Sequence, residues 1–237
     1  MTRLRLLVPM LVMLAACSRG KPELPILNYH LVGKTADEFT VPADTFAAQL
    51  DWLAARGFHT VSLRDVVQSR QDHRPLPPRS IVLTFDDGTE DALRVVLPEL
   101  QKRGMRGTFF VITGRVGQAG YLTWDGVRAL AAAGMEVGSH TVTHARLADL
   151  SNEEVDVELR DSRAQLESEL KHPVEALAYP FNSVRARVVS AAEAAGYRVA
   201  VAGPAHGGAD RMRLLRLPVD GRATLSQFEQ RLSGFAR

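Results

Sequence analysis

From about residue 26 onward, short apolar runs alternate with longer stretches in which apolar positions recur every three or four residues. The short runs, at 26–31, 59–62, 81–85, 108–112, 136–139, 176–179, 198–202 and 214–219, are the predicted strands. Several, such as Ile81-Val82-Leu83-Thr84-Phe85, are almost unbroken in apolar character, as parallel strands covered on both faces should be. Between them, helices are predicted over 42–56, 91–103, 124–133 and 183–195, stopped by Gly57, Gly104, Gly134 and Gly196. The first of these places Phe46, Leu50 and Leu53 on one stripe. Ser151 with Glu154 three residues on has capping-box spacing and opens a charged helix to about residue 170. A strand-helix period of roughly 30 residues, repeated about seven times, predicts an α/β fold, either a parallel (β/α) barrel or a doubly wound sheet. Length and repeat count favour the barrel, with about seven parallel strands, and barrels do their chemistry at the C-terminal ends of those strands.

The first residues follow a different pattern. Arg3 and Arg5 precede an apolar stretch from Leu6 to Ala16, shorter than the roughly 20 residues a bilayer-spanning helix needs. It ends in Leu14-Ala15-Ala16-Cys17 and then turns polar at Ser18-Arg19-Gly20-Lys21-Pro22. Residues 1–16 are therefore expected to be a lipoprotein signal peptide, with Cys17 acylated, residues 17–23 a lipidated tether, and 24–237 one domain. The alternative is an ordinary signal peptide cut after Ala16. Cys17 is the only cysteine, so no internal disulfide can form, and a spare thiol would sit oddly in an oxidising compartment. The expected seat is the bacterial cell envelope, on a membrane through the lipid anchor. Ser18 suits the periplasmic face of an outer membrane. Loss of the leader removes two arginines and no acid, leaving 27 side chains of each sign, so no nucleic-acid partner is expected.

Three predicted strand ends carry candidate chemistry. Thr84-Phe85-Asp86-Asp87-Gly88 places two carboxylates after one strand. Asp-Gly is a common turn, but adjacent acids can also divide the labour, one ligating a metal and one acting as a base. Ser139-His140-Thr141-Val142-Thr143-His144 follows another strand, and two imidazoles four apart can share an ion if the segment takes a helical turn. Two histidines and a carboxylate leave open positions on a zinc-type ion. Ala178-Tyr179-Pro180-Phe181-Asn182 is either a proline-terminated strand with aromatic packing or the wall of a site. Trp124 reads more often as core at a helix start than as a ring that stacks on a ligand.

Taken together, Thr84–Gly88, the histidine segment and Ala178-Tyr179-Pro180-Phe181 resemble the polysaccharide deacetylase family, carbohydrate esterase family four. The resemblance spans about 24–220, and Asn28-Tyr29-His30 resembles the opening of its poly-N-acetylglucosamine, or exopolysaccharide, branch. It implies a distorted (β/α) barrel and a hydrolase removing N-acetyl groups from N-acetylglucosamine polymers, exopolysaccharide or peptidoglycan. Carried over, Asp87, His140 and His144 would hold a divalent metal, zinc first and cobalt or nickel as alternatives. Asp86 would be the general base. Tyr179, Pro180 and Phe181 would bind substrate, with a backbone N–H of that loop on the oxyanion.

The chain departs from the family pattern twice. Many members carry a base-orienting arginine where this chain has Ala178, and no replacement is visible nearby in sequence. Many carry a late histidine as general acid, where this chain reads Leu214-Leu215-Arg216-Leu217-Pro218. His30, at the end of the first strand, is the leading substitute. His206, in a Gly-rich stretch that could be a lid, is the second. The competing readings are a catalytically inactive glycan-binding lipoprotein and a related metal-dependent amidase or esterase.

Overall fold

The computed structural model describes residues 24–235, so the leader 1–16, Cys17 and the 17–23 tether lie outside the described residues. The main staves are β1 (Ile26–Tyr29), β5 (Ser80–Phe85), β6 (Thr108–Val111), β7 (Glu136–Ser139), β8 (Ala176–Ala178) and β9 (Val199–Ala202). The seventh is split into β10 (Leu214–Leu215) and β11 (Leu217–Pro218). Every pairing is parallel, in the order β10-β9-β8-β7-β6-β5-β1-β11. Because β10 and β11 flank a single residue, Arg216, that segment joins both ends of the sheet and closes the barrel. The Arg216 N–H donates to Ala202 O at 2.8 Å on one side, and the Val219 N–H donates to Asn28 O at 2.9 Å on the other. The seven-stave expectation therefore holds, and the distortion is concentrated in this broken closing stave.

The barrel interior follows from period-two alternation. Val82, Phe110, Ala176, Ala178, Val199, Val201 and Leu214 point inward and pack with Ile26 into one buried cluster. A larger cluster lies between the staves and the outer helices α1 (Ala43–Ala55), α3 (Leu97–Lys102), α4 (Trp124–Ala132), α5 (Asn152–Leu170) and α6 (Ala186–Ala194). Burial of these two clusters supplies the main driving force for folding.

One element is absent from the sequence-based prediction. After the short β4 (His59–Thr60), the helix α2 (Leu63–Gln71) plugs the N-terminal end of the barrel with Val61, Leu63, Val66 and Val67. Ser62 and Asp65 form its capping box, and the half-buried Glu136 carboxylate accepts from the Leu63 and Arg64 N–H groups. That anion at a helix start is favourably placed against the helix dipole. Leu24 packs on the same lower cluster. Two other small elements were not foreseen: β3 (Thr40–Pro42), paired with β2 (Leu31–Gly33), and the C-terminal α7 (Leu225–Leu232). The predicted helix over 91–103 begins as a π-helical stretch, Ala92–Val96, before α3. Pro98 has no N–H to donate to the carbonyl four residues back, which favours the wider turn.

Gly138, two residues before His140, sits where Phe110 fills the barrel. A Cβ there would lie 2.6 Å from Phe110 Cε1 and 2.9 Å from Ala176 O. Gly138→Ala should therefore cost about 1–3 kcal/mol through overpacking, lowering Tm by roughly 2–12 °C in a domain of this size. Thermal unfolding of the variant checks this, and an unchanged Tm would mean that the interior has slack at this point.

Candidate active site

All three motifs emerge at the C-terminal end of the barrel. β5 continues its inward alternation through Val82 and Thr84 to Asp86, which is 3% exposed. The chain then enters the left-handed region at Asp87 (φ 73°) and Gly88 (φ 71°). This turn swings Asp87 sideways from Asp86, so the adjacent acids face different partners. Gly and Asp tolerate that backbone region better than most residues.

The histidine segment does not take the helical turn that the spacing suggested. Thr141 (φ 66°) and His144 (φ 64°) are both left-handed, and the loop folds back so that the two imidazoles lie 4.8 Å apart between ring centroids. Two side chains on α5, one helical turn apart, support this conformation. Glu158, buried, accepts from Val142 N–H at 2.8 Å, Thr143 N–H at 2.9 Å and Thr143 Oγ1–H at 2.5 Å. Ser162 meets the Ser139 hydroxyl at 2.8 Å, and Ser139 Oγ in turn accepts from the Thr141 N–H.

Asp87, His140 and His144 offer ligand atoms that all lie within 4.8 Å of one another. Asp87 Oδ1 stands 3.6 Å from each histidine Nε2. His140 Nδ1 lies 2.8 Å from Ala178 O; donating there fixes the tautomer and leaves Nε2 as a lone-pair donor. Burial first, then the neighbouring His140, pushes His144 down to about 4, which keeps its imidazole neutral at physiological pH. Asp87 Oδ1 is buried with no hydrogen-bond partner. A buried unpartnered carboxylate oxygen facing two imidazole nitrogens fits a divalent cation.

Asp86 stands apart from this triad. Arg216 grips it bidentately, Nη1 to Oδ1 at 2.6 Å and Nη2 to Oδ2 at 2.8 Å, and Arg216 itself is 1% exposed. Burial alone would raise the Asp86 pKa. No single neighbour offsets that, but the Arg216 charge, then His140, the Arg216 hydrogen bonds and His30 together do, and they hold the carboxyl well below the usual carboxylate range. His30 Nε2 lies 3.9 Å from Asp86 Oδ2 and is a quarter exposed. β2, which begins at the next residue, is pinned by Asp91, whose Oδ2 accepts from Val32 N–H at 2.8 Å.

The arginine sought near Ala178 thus comes from another stave. Arg216 and Ala178 share one room inside the barrel: Ala178 packs in the Phe110 cluster, and the Arg216 guanidinium lies 5.8 Å from the Phe110 ring centroid. A charged residue within the apolar run 214–219 was the available signal, since a strand covered on both faces keeps an arginine only when it is paired. Glu158 gave no comparable signal, being one of several acids on a charged helix.

The third motif divides. The Tyr179 ring is fully buried and its N–H is spent on Val201 O, so it offers substrate no side chain. Pro180 is buried and has no N–H. Phe181 is 52% exposed in a left-handed conformation (φ 53°), its ring 4.5 Å from His144 and stacked under Arg146. His206 sits in a turn closed by its N–H to Gly203 O and makes no contact with the triad among the described residues.

The polysaccharide deacetylase family model matches residues 73–200, more than half of the chain. The Bacillus subtilis polysaccharide deacetylase homologue YxkH is 29% identical over 180 residues, covering 76% of this chain and 64% of that protein. The chain therefore spans less than two thirds of that relative. A Bacillus cereus peptidoglycan-N-acetylglucosamine deacetylase is 30% identical over 125 residues, covering 52% of this chain and 56% of that one. Among solved structures, the Streptococcus pyogenes deacetylase PplD superposes with a TM-score of 0.80 at 25% identity, covering 87% of this chain and 96% of that one.

Divalent metal binding tests the triad and its support. His140→Ala should abolish stoichiometric binding, while Glu158→Gln should weaken it roughly 10–100-fold, as loss of outer-shell partners does elsewhere. Competition with a chromophoric chelator measures both. Glu158→Gln binding as tightly as the parent would remove α5 from the metal site.

Proposed function

The chain belongs to the polysaccharide deacetylase family, and on that premise we propose that it is a metal-dependent hydrolase removing N-acetyl groups from N-acetylglucosamine-containing polysaccharide of the bacterial envelope. The observation that carries this reading is the separation of two adjacent carboxylates: Asp87 turned toward His140 and His144, and Asp86 held off by Arg216. An inactive glycan binder has no use for a buried anionic base beside an intact ligand triad.

Asp87, His140 and His144 would hold the ion. When bound, it supplies Lewis acidity, polarising the acetyl carbonyl and lowering the pKa of water from 15.7 toward about 7. Zinc suits the His-His-carboxylate set best, with cobalt or nickel able to substitute. Asp86 takes the proton from the attacking water. Because Arg216 occupies both its oxygens, the carboxylate is oriented before substrate arrives. Water oxygen bonds to the acetyl carbon, and the Phe181 N–H is the remaining backbone donor of its loop for the oxyanion. The C–N bond then breaks only if the nitrogen is protonated, since an amide anion leaves poorly. His30, whose Nε2 lies 3.9 Å from Asp86 Oδ2, would deliver that proton, giving acetate and a free amine.

The envelope seat rests on the leader and on Leu14-Ala15-Ala16-Cys17. Of the polymers, the Tyr29-His30 opening and the seat of His30 beside Asp86 favour an exopolysaccharide of the poly-N-acetylglucosamine type, with peptidoglycan as the alternative.

Acetate release from β-1,6- and β-1,4-linked N-acetylglucosamine oligomers tests the reading. Release should stop on chelation, return with zinc or cobalt, and vanish in Asp86→Asn. His30→Ala should lower kcat about 10²–10⁴-fold with metal content unchanged. No metal-restored release from either oligomer would sink the deacetylase reading. A second measurement addresses the orienting pair: Arg216→Lys keeps the charge but loses the two-pronged geometry, and kcat should fall while KM and metal affinity hold. A parental kcat in that variant would show that the fork does not orient the base.

A further inference from the structure

Among the described residues, four large apolar side chains are exposed: Leu31 at 37%, Phe39 at 52%, Val157 at 49% and Phe181 at 52%. Three of the four stand at the catalytic mouth. Phe181 lies against His144 on the metal side. Phe39 lies against His30 on the other, with ring centroids 5.1 Å apart at 76°. Leu31 adjoins His30 in the chain and donates its N–H to Phe39 O at 3.0 Å. A soluble surface rarely gathers its exposed apolar side chains at one spot unless something binds there.

Phe39 is also held firmly. Asp37 Oδ1 accepts from the Phe39 N–H at 2.8 Å and the Thr40 N–H at 2.7 Å, and β2 pairs with β3 immediately after. The segment around Gly221 supports this loop from below, so closely that a Cβ there would lie 1.8 Å from Thr40 O. Bracing an aromatic ring while leaving half of it in water spends no core packing on it; it makes a platform. Among the described residues His30 is the only ring it meets, whereas Phe181 meets both the His144 ring and the Arg146 guanidinium.

We propose that Phe39, with Leu31, is a second sugar-stacking wall, so that the reacting residue lies between two phenyl rings and its neighbours along the polymer rest on them. The contacts run Phe39, His30, Asp86, His140, His144, Phe181 across the mouth. A pyranose presents a face of C–H groups that an aromatic ring covers well, with hydroxyls left to water. The ligand class is therefore an internal stretch of at least three pyranose units, not a terminal or free N-acetylhexosamine. This subsite rests on the deacetylase reading for its occupant, and its test is built to fail separately.

Two readouts with the full chain decide it. In the Asp86→Asn background, which blocks turnover, N-acetylglucosamine mono- to pentasaccharides are titrated calorimetrically. Affinity should rise up to the trimer, and Phe39→Ala should weaken trimer and longer ligands about tenfold while Phe39→Trp preserves them. In the active background, Phe39→Ala should raise KM about tenfold for long oligomers and leave kcat and its pH profile near those of the parent. If kcat or the pH profile shifts while KM holds, Phe39 merely positions His30 and the wall is refuted. If oligomers turn over but neither KM nor affinity responds to Phe39, the wall is again refuted and the deacetylase stands. Phe39-dependent binding without acetate release would keep the wall and overturn the deacetylase. Binding of no oligomer in any background overturns both.

Discussion

The structure turns on one buried ion pair, Arg216 with Asp86. Burying two charges costs several kcal/mol per ion before attraction and hydrogen bonds offset it. Here the offset comes from two short, parallel hydrogen bonds from the guanidinium to the carboxylate, while the Arg216 backbone N–H joins the sheet. The pair lies at the break between β10 and β11, so the contact that orients the catalytic carboxylate spans the seam where the barrel closes. Deleting either partner would strand the other charge in the interior, a loss of about 3–5 kcal/mol in comparable sites. Architecture and base orientation thus depend on the same contact.

The metal side has a parallel logic with a different support. A helical turn was the simple way to bring His140 and His144 together, and the chain instead uses two left-handed residues in a loop. Such a loop needs outside support, because its backbone amides are not spent on a helix. Glu158 and Ser162 on α5 provide it by taking up the loop's donors and the hydroxyl of Ser139. The long helix with its capping box at Ser151 and Glu154 is therefore a backing plate for the ligands as well as a cover for the core.

Much of this was legible in the chain. Unbroken apolar runs ended by acids or histidines, separated by glycine-stopped helices, gave the barrel and put Asp86, Asp87, His140 and His144 at one end of it. The misses have physical causes. The helix α2 is short and carries Arg64, Asp65, Gln68 and Arg70, so its apolar face is narrow and its period is hard to read. Arg216 was weighed as a missing histidine, although an arginine amid Leu214, Leu215 and Leu217 asked for a partner. Tyr179 was credited with substrate contact because motif position does not reveal which way a ring points, and this one points into the core.

The plug formed by α2 also sets a direction. Leu24 packs beside it, at the end of the barrel opposite the triad, so the chain enters the domain from the closed end. The entering chain therefore stays clear of the mouth where the triad lies, and the open rim is left to whatever passes across it.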